Sequence, residues 1–191
     1  MRHEIIISGF GGQGVMVMGQ LLTYAGMLEG KYVSWMPSYG PEMRGGTANC
    51  SVIIDERSIG APMVTEPTAA VALNLPSLDK FEQAVQDKGV LIINSSIIDK
   101  PVQRTDINVY HIPISDIATE LGSSKVINVV ALGALLAATK AVEMEAVMTA
   151  FAKKFASKPQ IVELNKEALI RGYDAVGKIY STYNKYLYHG S

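Results

Sequence analysis

The fold of this chain is decided by the stretch Glu4-Ile5-Ile6-Ile7-Ser8-Gly9-Phe10-Gly11-Gly12-Gln13-Gly14 and by the apolar run 15–28 that follows it. The isoleucines are β-branched and their run is short, which predicts a buried strand, whereas 15–28 is long and built from good helix formers. Glycines between a strand and a helix allow a sharp turn, and the helix start offers unpaired N–H groups and positive dipole charge. The stretch therefore predicts an anion-binding turn.

The spacing of Gly9, Gly11 and Gly14 also fits the glycine fingerprint of dinucleotide-binding folds. That fingerprint is more specific when an acidic residue about 20 positions later ends the second strand and binds a ribose hydroxyl. The predicted second strand, residues 32–36, has no carboxylate at its end. Three interpretations therefore stay open: a tight turn without a ligand, a nicotinamide or flavin site, and a cradle for another ligand or for a partner's backbone.

A second unusual segment, residues 37–46, contains two prolines and three glycines. This composition excludes a helix or a regular strand, and proline restrains both its own torsion and that of the residue before it. We therefore predict a shaped loop. Arg44 is its one basic side chain, and a guanidinium binds carboxylate or phosphate through two parallel hydrogen bonds. Glu42 could instead pair with Arg44 and hold the loop.

The remaining pattern alternates between strands and helices. Residues 47–55 predict a third strand, which only a loop separates from the second, so these two strands should run antiparallel. Ser77 and Ser115 are the expected caps of two helices. Further strands are predicted at 69–73, 89–93 and 109–113, and further helices at 78–87, 116–121, 125–139, 144–155 and 165–188.

This alternation predicts one α/β domain over residues 1–191, a three-layer α/β/α sandwich around a mostly parallel, Rossmann-like sheet with one antiparallel excursion. Ligands of such sheets bind beyond the carboxyl ends of the strands. Several loops follow predicted strands, and we expect them to share one rim of the molecule. These loops are 9–14, 37–46, 74–76 and 94–96.

The composition argues against several classes of function. The chain has 17 basic and 18 acidic side chains, a net charge of −1, so it lacks a global field that would attract nucleic acid or an anionic membrane. Cys50 is the only cysteine, which excludes an internal disulfide and an iron–sulfur cluster held by this chain alone. We predict no metal, because His3, His111 and His189 have no metal-ligand spacing. Without a signal-peptide stretch or an apolar run of membrane-spanning length, we expect a cytoplasmic protein.

The candidate ligand-binding residues lie in the two loops. Gln13 could reach a ligand or hold its own loop, and Ser38 and Tyr39 supply hydroxyls beside the rim. We predict no catalytic residue, because the sequence offers no acid–base pair and no nucleophile with a neighbouring base, so the chain would act as one part of a larger enzyme. The predicted binding residues are Gly9, Gly11, Gly12, Gln13, Gly14, Ser38, Tyr39, Gly40, Glu42, Arg44, Gly45 and Gly46.

Two further polar residues receive structural interpretations. Cys50 has no basic neighbour in sequence that would lower its pKa, so a buried and inert thiol is expected. Asn128 lies within an apolar helix, where a satisfied buried amide is expected rather than a ligand-binding one.

Together the two loops resemble the gamma subunit of the 2-oxoacid:ferredoxin oxidoreductases. The resemblance continues through 74–77, the helix that contains Asn128, and 165–172. It implies a multisubunit enzyme that oxidatively decarboxylates a 2-oxoacid, transfers the acyl group to coenzyme A and passes two electrons to ferredoxin. The stretches that carry it are Gly9-Phe10-Gly11-Gly12-Gln13-Gly14 and Ser38-Tyr39-Gly40-Pro41-Glu42-Met43-Arg44-Gly45-Gly46.

The same resemblance implies how cofactors and partners are divided. Thiamine diphosphate and the iron–sulfur clusters would belong to partner subunits, namely alpha, beta and, in some assemblies, a ferredoxin-like delta subunit. Coenzyme A would be a co-substrate whose entrance this chain helps to form. The resemblance is to the 2-oxoglutarate or branched-chain oxoacid members, with pyruvate and indolepyruvate behind, and 2-oxoglutarate is the favoured oxoacid. The alternatives are a scaffold subunit that binds no small molecule and a stand-alone nucleotide-binding oxidoreductase. Isolated, the chain could form a homodimer.

Overall fold

A computed structural model describes residues 1–38 and 47–188 of the chain. Within these ranges the chain forms six strands and six α-helices, with short 3-10 turns at Glu82–Ala84 and Ser124–Val126. The elements in chain order are β1 (His3–Phe10), α1 (Val15–Leu28), β2 (Tyr32–Ser38), β3 (Thr47–Asp55), β4 (Ala69–Ala72), α2 (Leu75–Phe81), β5 (Val90–Asn94), β6 (Asn108–Ile112), α3 (Ile114–Glu120), α4 (Ile127–Thr139), α5 (Met144–Lys154) and α6 (Pro159–Tyr188).

The strands form one sheet in the order β2-β3-β1-β4-β5-β6. β4, β5 and β6 continue parallel to β1, whereas β3 runs antiparallel to both β1 and β2. The residues between β2 and β3 are too few for the helical crossover that a parallel return needs. The prediction of a mostly parallel sheet with one antiparallel excursion is therefore confirmed.

Helices cover the two faces of this sheet unequally. On one face, buried side chains of α1, α3, α4, α5 and α6 pack against the strands in the larger hydrophobic core. On the other face, α2 and its flanking segments pack onto β4 and β5 in a smaller core. The predicted three-layer sandwich is confirmed, with most of its helical mass on one side.

α4 is buried on nearly every side, as its continuous apolar sequence predicts. It crosses α6 so closely that a Cβ built at Gly133 would lie 2.0 Å from the Leu169 carbonyl oxygen. A Cβ at Gly172 would lie 1.9 Å from the Val130 carbonyl oxygen, so both positions require glycine. Neither α4 nor any other helix of the described ranges is long and apolar enough to cross a membrane.

Three helices, α2, α3 and α6, begin earlier than predicted. α2 starts directly after Asn74, whose side chain accepts a hydrogen bond from the Ser77 N–H, so Ser77 is capped rather than capping. α6 starts at Pro159, not at Asn165. Proline is favoured at the first helical position, because its missing N–H would have no partner there. The predicted start of this helix at residue 165 was therefore wrong.

Candidate functional site

The strand register brings the predicted loops to one edge of the sheet. Phe10 pairs with Thr47 and Ser38 pairs with Asn49, so the glycine loop, the end of β2 and the start of β3 lie side by side. β4, β5 and β6 end at the same edge because they run parallel to β1. We call this edge the rim, and it comprises residues 9–14, 38, 47, 74–77 and 94–97. The single rim predicted from the sequence is confirmed for the loops that the structure describes.

The predicted binding residues divide into two sets. Gly9, Gly11, Gly12, Gln13, Gly14 and Ser38 lie on the rim. Ser38 and Thr47, the described neighbours of segment 39–46, are both rim residues. The binding roles of both sets stay predictions. Tyr39, Gly40, Glu42, Arg44, Gly45 and Gly46 lie outside the described residues.

In the glycine loop, residues 9–14, glycine is required for two different reasons, its backbone conformation and close packing. Gly12 and Gly14 have φ values of 92° and 77°, a left-handed conformation that other residues rarely adopt. Gly9 is required by close packing, since a Cβ there would lie 2.6 Å from the Gln13 Oε1 atom. A hydrogen bond from the Gln13 N–H to the Phe10 carbonyl, 3.2 Å long, closes the turn.

This loop presents backbone donors to the outside. The N–H groups of Gly11, Gly12 and Gly14 make no hydrogen bond to any described residue, and Gly11 and Gly12 are exposed. α1 begins immediately after Gly14 with no side-chain cap and no acidic residue in its first turn. Free amides beside an uncapped helix start form an electropositive surface that suits an anion or a carbonyl oxygen.

Gln13 holds this loop in place. Its Oε1 atom accepts a hydrogen bond of 2.6 Å from the Phe10 N–H, and its Nε2 atom donates one of 3.4 Å to the Leu73 carbonyl. Both ends of the carboxamide are therefore engaged within the chain. The sequence left two roles open for Gln13, and the structure shows that it holds its own loop. A ligand-binding role for Gln13 stays a prediction.

The turn after β4 contains a buried polar network that sequence reasoning did not single out. The Ser8 hydroxyl donates to Ser77 Oγ at 2.8 Å, and Asn74 Oδ1 accepts from the Ser77 N–H at 2.9 Å. All three residues are buried, and Asn74 Nδ2 has no hydrogen-bond partner in the described part of the chain. Unpaired buried donors are rare and costly. The signal in the sequence that could have revealed this network is a polar residue at the end of each apolar run, such as Ser8 and Asn74.

A side chain at the end of β5 caps the start of α3. Asn94 is fully buried, its Nδ2 atom donates to Ser115 Oγ at 2.8 Å, and its Oδ1 atom accepts from the Ser115 N–H at 3.2 Å. The prediction that Ser115 caps the following helix was wrong, because α3 already begins at Ile114 and Ser115 is capped by Asn94.

Exposed apolar side chains accompany these polar turns. Phe10, Leu75 and Ile97 are 42%, 40% and 52% exposed. Phe10 is the last residue of β1, whereas Leu75 and Ile97 follow β4 and β5, and these three strands are neighbours in the sheet. Large apolar side chains that share one edge are typical of a surface that contacts another molecule.

Cys50 and Asn128 support the start of α1 from behind. Cys50 is fully buried, its thiol donates to the Val15 carbonyl at 3.6 Å, and burial raises the pKa of the thiol to about 11. Asn128 is 6% exposed and donates to the Gly14 carbonyl at 3.2 Å. The predictions of an inert thiol and a satisfied amide are confirmed. Among the described side chains, no group of three or more histidine, cysteine, aspartate or glutamate residues could hold a metal ion.

Comparison with known proteins extends over almost the whole chain. Residues 4–175 match the family model described as pyruvate ferredoxin/flavodoxin oxidoreductase. Ketoisovalerate oxidoreductase subunit VorA of Methanothermobacter marburgensis is 36% identical over 172 residues, which are 90% of this chain and 36% of VorA. The chain thus spans about a third of the length of this relative. The 2-oxoglutarate synthase subunit KorC of Methanocaldococcus jannaschii is 33% identical over 183 residues, which are 94% of this chain and 96% of KorC.

The same extent of similarity is found with a solved structure. The crystal structure of the keto/oxoacid ferredoxin oxidoreductase gamma subunit from Geobacter sulfurreducens PCA superposes with a TM-score of 0.80 at 31% identity. The superposition covers 91% of this chain and 98% of that chain. The unequal sandwich described above is therefore also the fold of that subunit.

Proposed function

Because the chain belongs to the pyruvate ferredoxin/flavodoxin oxidoreductase family, we propose that it is the gamma subunit of a multisubunit 2-oxoacid:ferredoxin oxidoreductase. In the proposed reaction a 2-oxoacid, coenzyme A and two oxidised ferredoxins give an acyl-CoA, carbon dioxide, one proton and two reduced ferredoxins. 2-Oxoglutarate is the favoured oxoacid, in line with the similarity to KorC, and ketoisovalerate is the alternative that the similarity to VorA leaves open. Thiamine diphosphate and the iron–sulfur clusters are assigned to the alpha, beta and delta subunits, and the isolated chain is expected to be inactive.

One arrangement carries the proposal: free backbone donors and exposed apolar side chains stand together on the rim. The N–H groups of Gly11 and Gly12 suit the phosphate and carbonyl oxygens of coenzyme A. Phe10, Leu75 and Ile97 suit the apolar centre of a subunit interface. The rim is thus proposed to face the partner subunits beside the coenzyme A entrance, with Arg44 as the expected cation.

The sheet order argues against a stand-alone nicotinamide enzyme. In dinucleotide-binding sheets the second strand lies directly beside the first and ends in the acidic residue that binds the ribose. Here β3 lies between β1 and β2, so the end of β2 is two strands, roughly 10 Å, from the glycine loop. The last residue of β2 is Ser38, which offers no carboxylate.

The decisive experiment recovers the native complex through a tag on this chain and measures its activity with a panel of oxoacids. Arg44→Ala should then raise the KM for coenzyme A about tenfold, as expected for a lost charge-assisted hydrogen bond. Arg57→Ala is the matched control, since Arg57 is exposed and lies at the opposite end of β3 from the rim. An unchanged KM in an intact complex contradicts the assignment of Arg44. Recovery of this chain without partner subunits contradicts the subunit role.

The exposed apolar residues of the rim favour a second candidate, a scaffold subunit that binds no small molecule. Phe10→Asp should lower the amount of partner subunits recovered with this chain, because it places a charge in the proposed interface. This is expected both for a subunit that contacts coenzyme A and for a scaffold subunit. Met63→Asp is the control, since Met63 is 69% exposed and lies before β4, away from the rim. If rim variants change assembly but never the KM for coenzyme A, the scaffold function is favoured.

A further inference from the structure

A separate cavity lies behind the glycine loop, inside the larger helical layer. Its volume is about 440 Å³, and it is bounded by α1, α4, α5 and α6. Small-molecule sites typically occupy about 300–1,000 Å³, so a compact organic molecule would fit. Gly14 is the point where this cavity touches the loop.

Most of the cavity wall is apolar. Leu21 and Phe151 are almost completely buried, and Phe155 and Leu164 are half-buried. Such a wall favours the hydrocarbon body of a ligand, because it removes that body from water. The apolar lining residues are Val17, Leu21, Val126, Val129, Phe151, Phe155, Ile161 and Leu164.

One end of the cavity carries three polar side chains that can still bind a ligand, namely those of Asn165, Asn128 and Lys125. Asn165 is 5% exposed, and its side chain makes no hydrogen bond to any described residue. Asn128 donates to Gly14, but its Oδ1 atom accepts no hydrogen bond within residues 1–38 and 47–188. Lys125 lines the cavity without an ion pair to any described side chain. Asn165 is therefore a buried carboxamide without a described partner, which points to a ligand that supplies one.

The charge of this end is positive. None of the described lining residues is an aspartate or a glutamate. α1 begins here without a side-chain cap or an acidic residue in its first turn, whereas α4 continues from the 3-10 turn Ser124–Val126, whose start Ser123 caps. The positive end of the α1 dipole therefore adds to the charge of Lys125 and favours an anionic head group.

We propose that this cavity binds a small amphipathic carboxylate. The hydrocarbon chain lies among Phe151, Phe155 and Leu164, and the carboxylate lies toward Asn165 and Lys125. The site does not depend on the function proposed for the rim, because its ligand is neither the oxoacid nor coenzyme A at the glycine loop.

Octanoate is the probe, titrated by calorimetry into the full chain and into the native complex. Saturable binding of one octanoate per chain is expected in both. Asn165→Leu and Lys125→Ala should each weaken it about tenfold, as for a lost hydrogen bond to a charged group. Leu164→Phe should abolish it by filling the cavity. Lys80→Ala on α2, on the opposite face of the sheet, should leave it unchanged, and octan-1-ol should bind at least about tenfold more weakly than octanoate.

Four outcomes overturn the proposal: equal binding of octanol and octanoate, retained binding by Leu164→Phe, no saturable binding by the folded chain, or binding that is lost in the native complex because a partner subunit fills the cavity. Circular dichroism checks the fold of every variant. If Leu164→Phe does not fold, Ile161→Phe fills the cavity from another half-buried position and replaces it. The KM for coenzyme A, measured in parallel, tests the rim separately.

Discussion

The glycine loop and the Asn74 turn both connect a strand to a helix at the same rim, yet they satisfy the helix start in opposite ways. At the Asn74 turn a buried carboxamide accepts a hydrogen bond from the first turn of α2. At the glycine loop Gly14 offers no side chain, and the first turn of α1 has no cap. One helix start is closed within the chain and the other is open to the outside.

Burial follows the same division. Ser8, Asn74 and Ser77 are 0–1% exposed and fix the edge of the sheet, whereas Gly11 and Gly12 are exposed. The first turn of a helix has four N–H groups without intrahelical partners, and only an external acceptor can satisfy those that the chain leaves uncapped. Of these two helix starts, the one whose backbone N–H groups lack an acceptor in the described chain is therefore the one that another molecule can reach.

The largest expected effect comes from adding one methyl group to the open helix start. Gly14→Ala should lower the free energy of unfolding by about 3 kcal/mol, because φ is 77° and the new Cβ would lie 2.6 Å from Asn128 Nδ2. Gly12→Ala is the matched control, since φ is 92° but nothing lies within 4 Å of its Cβ. Gly12→Ala should lower the free energy of unfolding, measured with urea, by about 1–2 kcal/mol. Equal losses would mean that the contact with Asn128 does not shape the loop.

The thiol beneath the open helix start supplies a pH-dependent prediction. Burial raises the pKa of Cys50 from 9.0 to about 11, so folding favours the neutral thiol. This contribution is fully present below pH 9 and is lost as the pH rises through 11, by about 2 kcal/mol at pH 11. The wild-type chain should therefore lose more stability than Cys50→Ala between pH 9 and 11 in chemical denaturation. Parallel curves would show that the thiol titrates normally.

The order of the main strands and helices could be predicted from the sequence, because the sequence signals that determine it are local. α1 and β3 begin and end at the predicted residues, and the short connection before β3 set its antiparallel direction. Helix starts were less predictable. Asn94 caps α3 from 21 residues away, a contact that no local pattern around Ser115 contains.

The candidate site was predictable to a similar extent. The free amides of the glycine loop follow from its composition and position, but the role of Gln13 depends on the carbonyl of Leu73, 60 residues away. The cavity behind Gly14 is formed by four helices that meet only in the folded chain. Arg44 lies outside the described residues, so its role stays a prediction from the sequence.

Removing the cap at the closed helix start should have an intermediate effect. Asn74→Ala deletes the acceptor for the Ser77 N–H and should cost about 1–2 kcal/mol in urea unfolding. Asn74→Ser retains a capping oxygen and also removes the unpaired Nδ2 donor, so it should recover part of this loss. If both variants were as stable as the wild type, the Asn74 turn would not be the closed counterpart of the glycine loop.

The smallest effect on stability, and the sharpest test of the comparison, comes from Gln13. Gln13→Ala loses two hydrogen bonds at a half-buried position and should cost about 1 kcal/mol.

Gln13→Glu keeps the acceptor for Phe10 but loses the donor to the Leu73 carbonyl. Its negative charge lies beside the positive end of α1 and offsets that loss, so its stability should stay within about 0.5 kcal/mol of the wild type. The same carboxylate would repel an anion bound at the free amides. In the assembled complex Gln13→Glu should therefore raise the KM for coenzyme A more than Gln13→Ala does, although it is the more stable of the two variants. If the KM follows stability instead, the open helix start receives a partner's backbone rather than an anion.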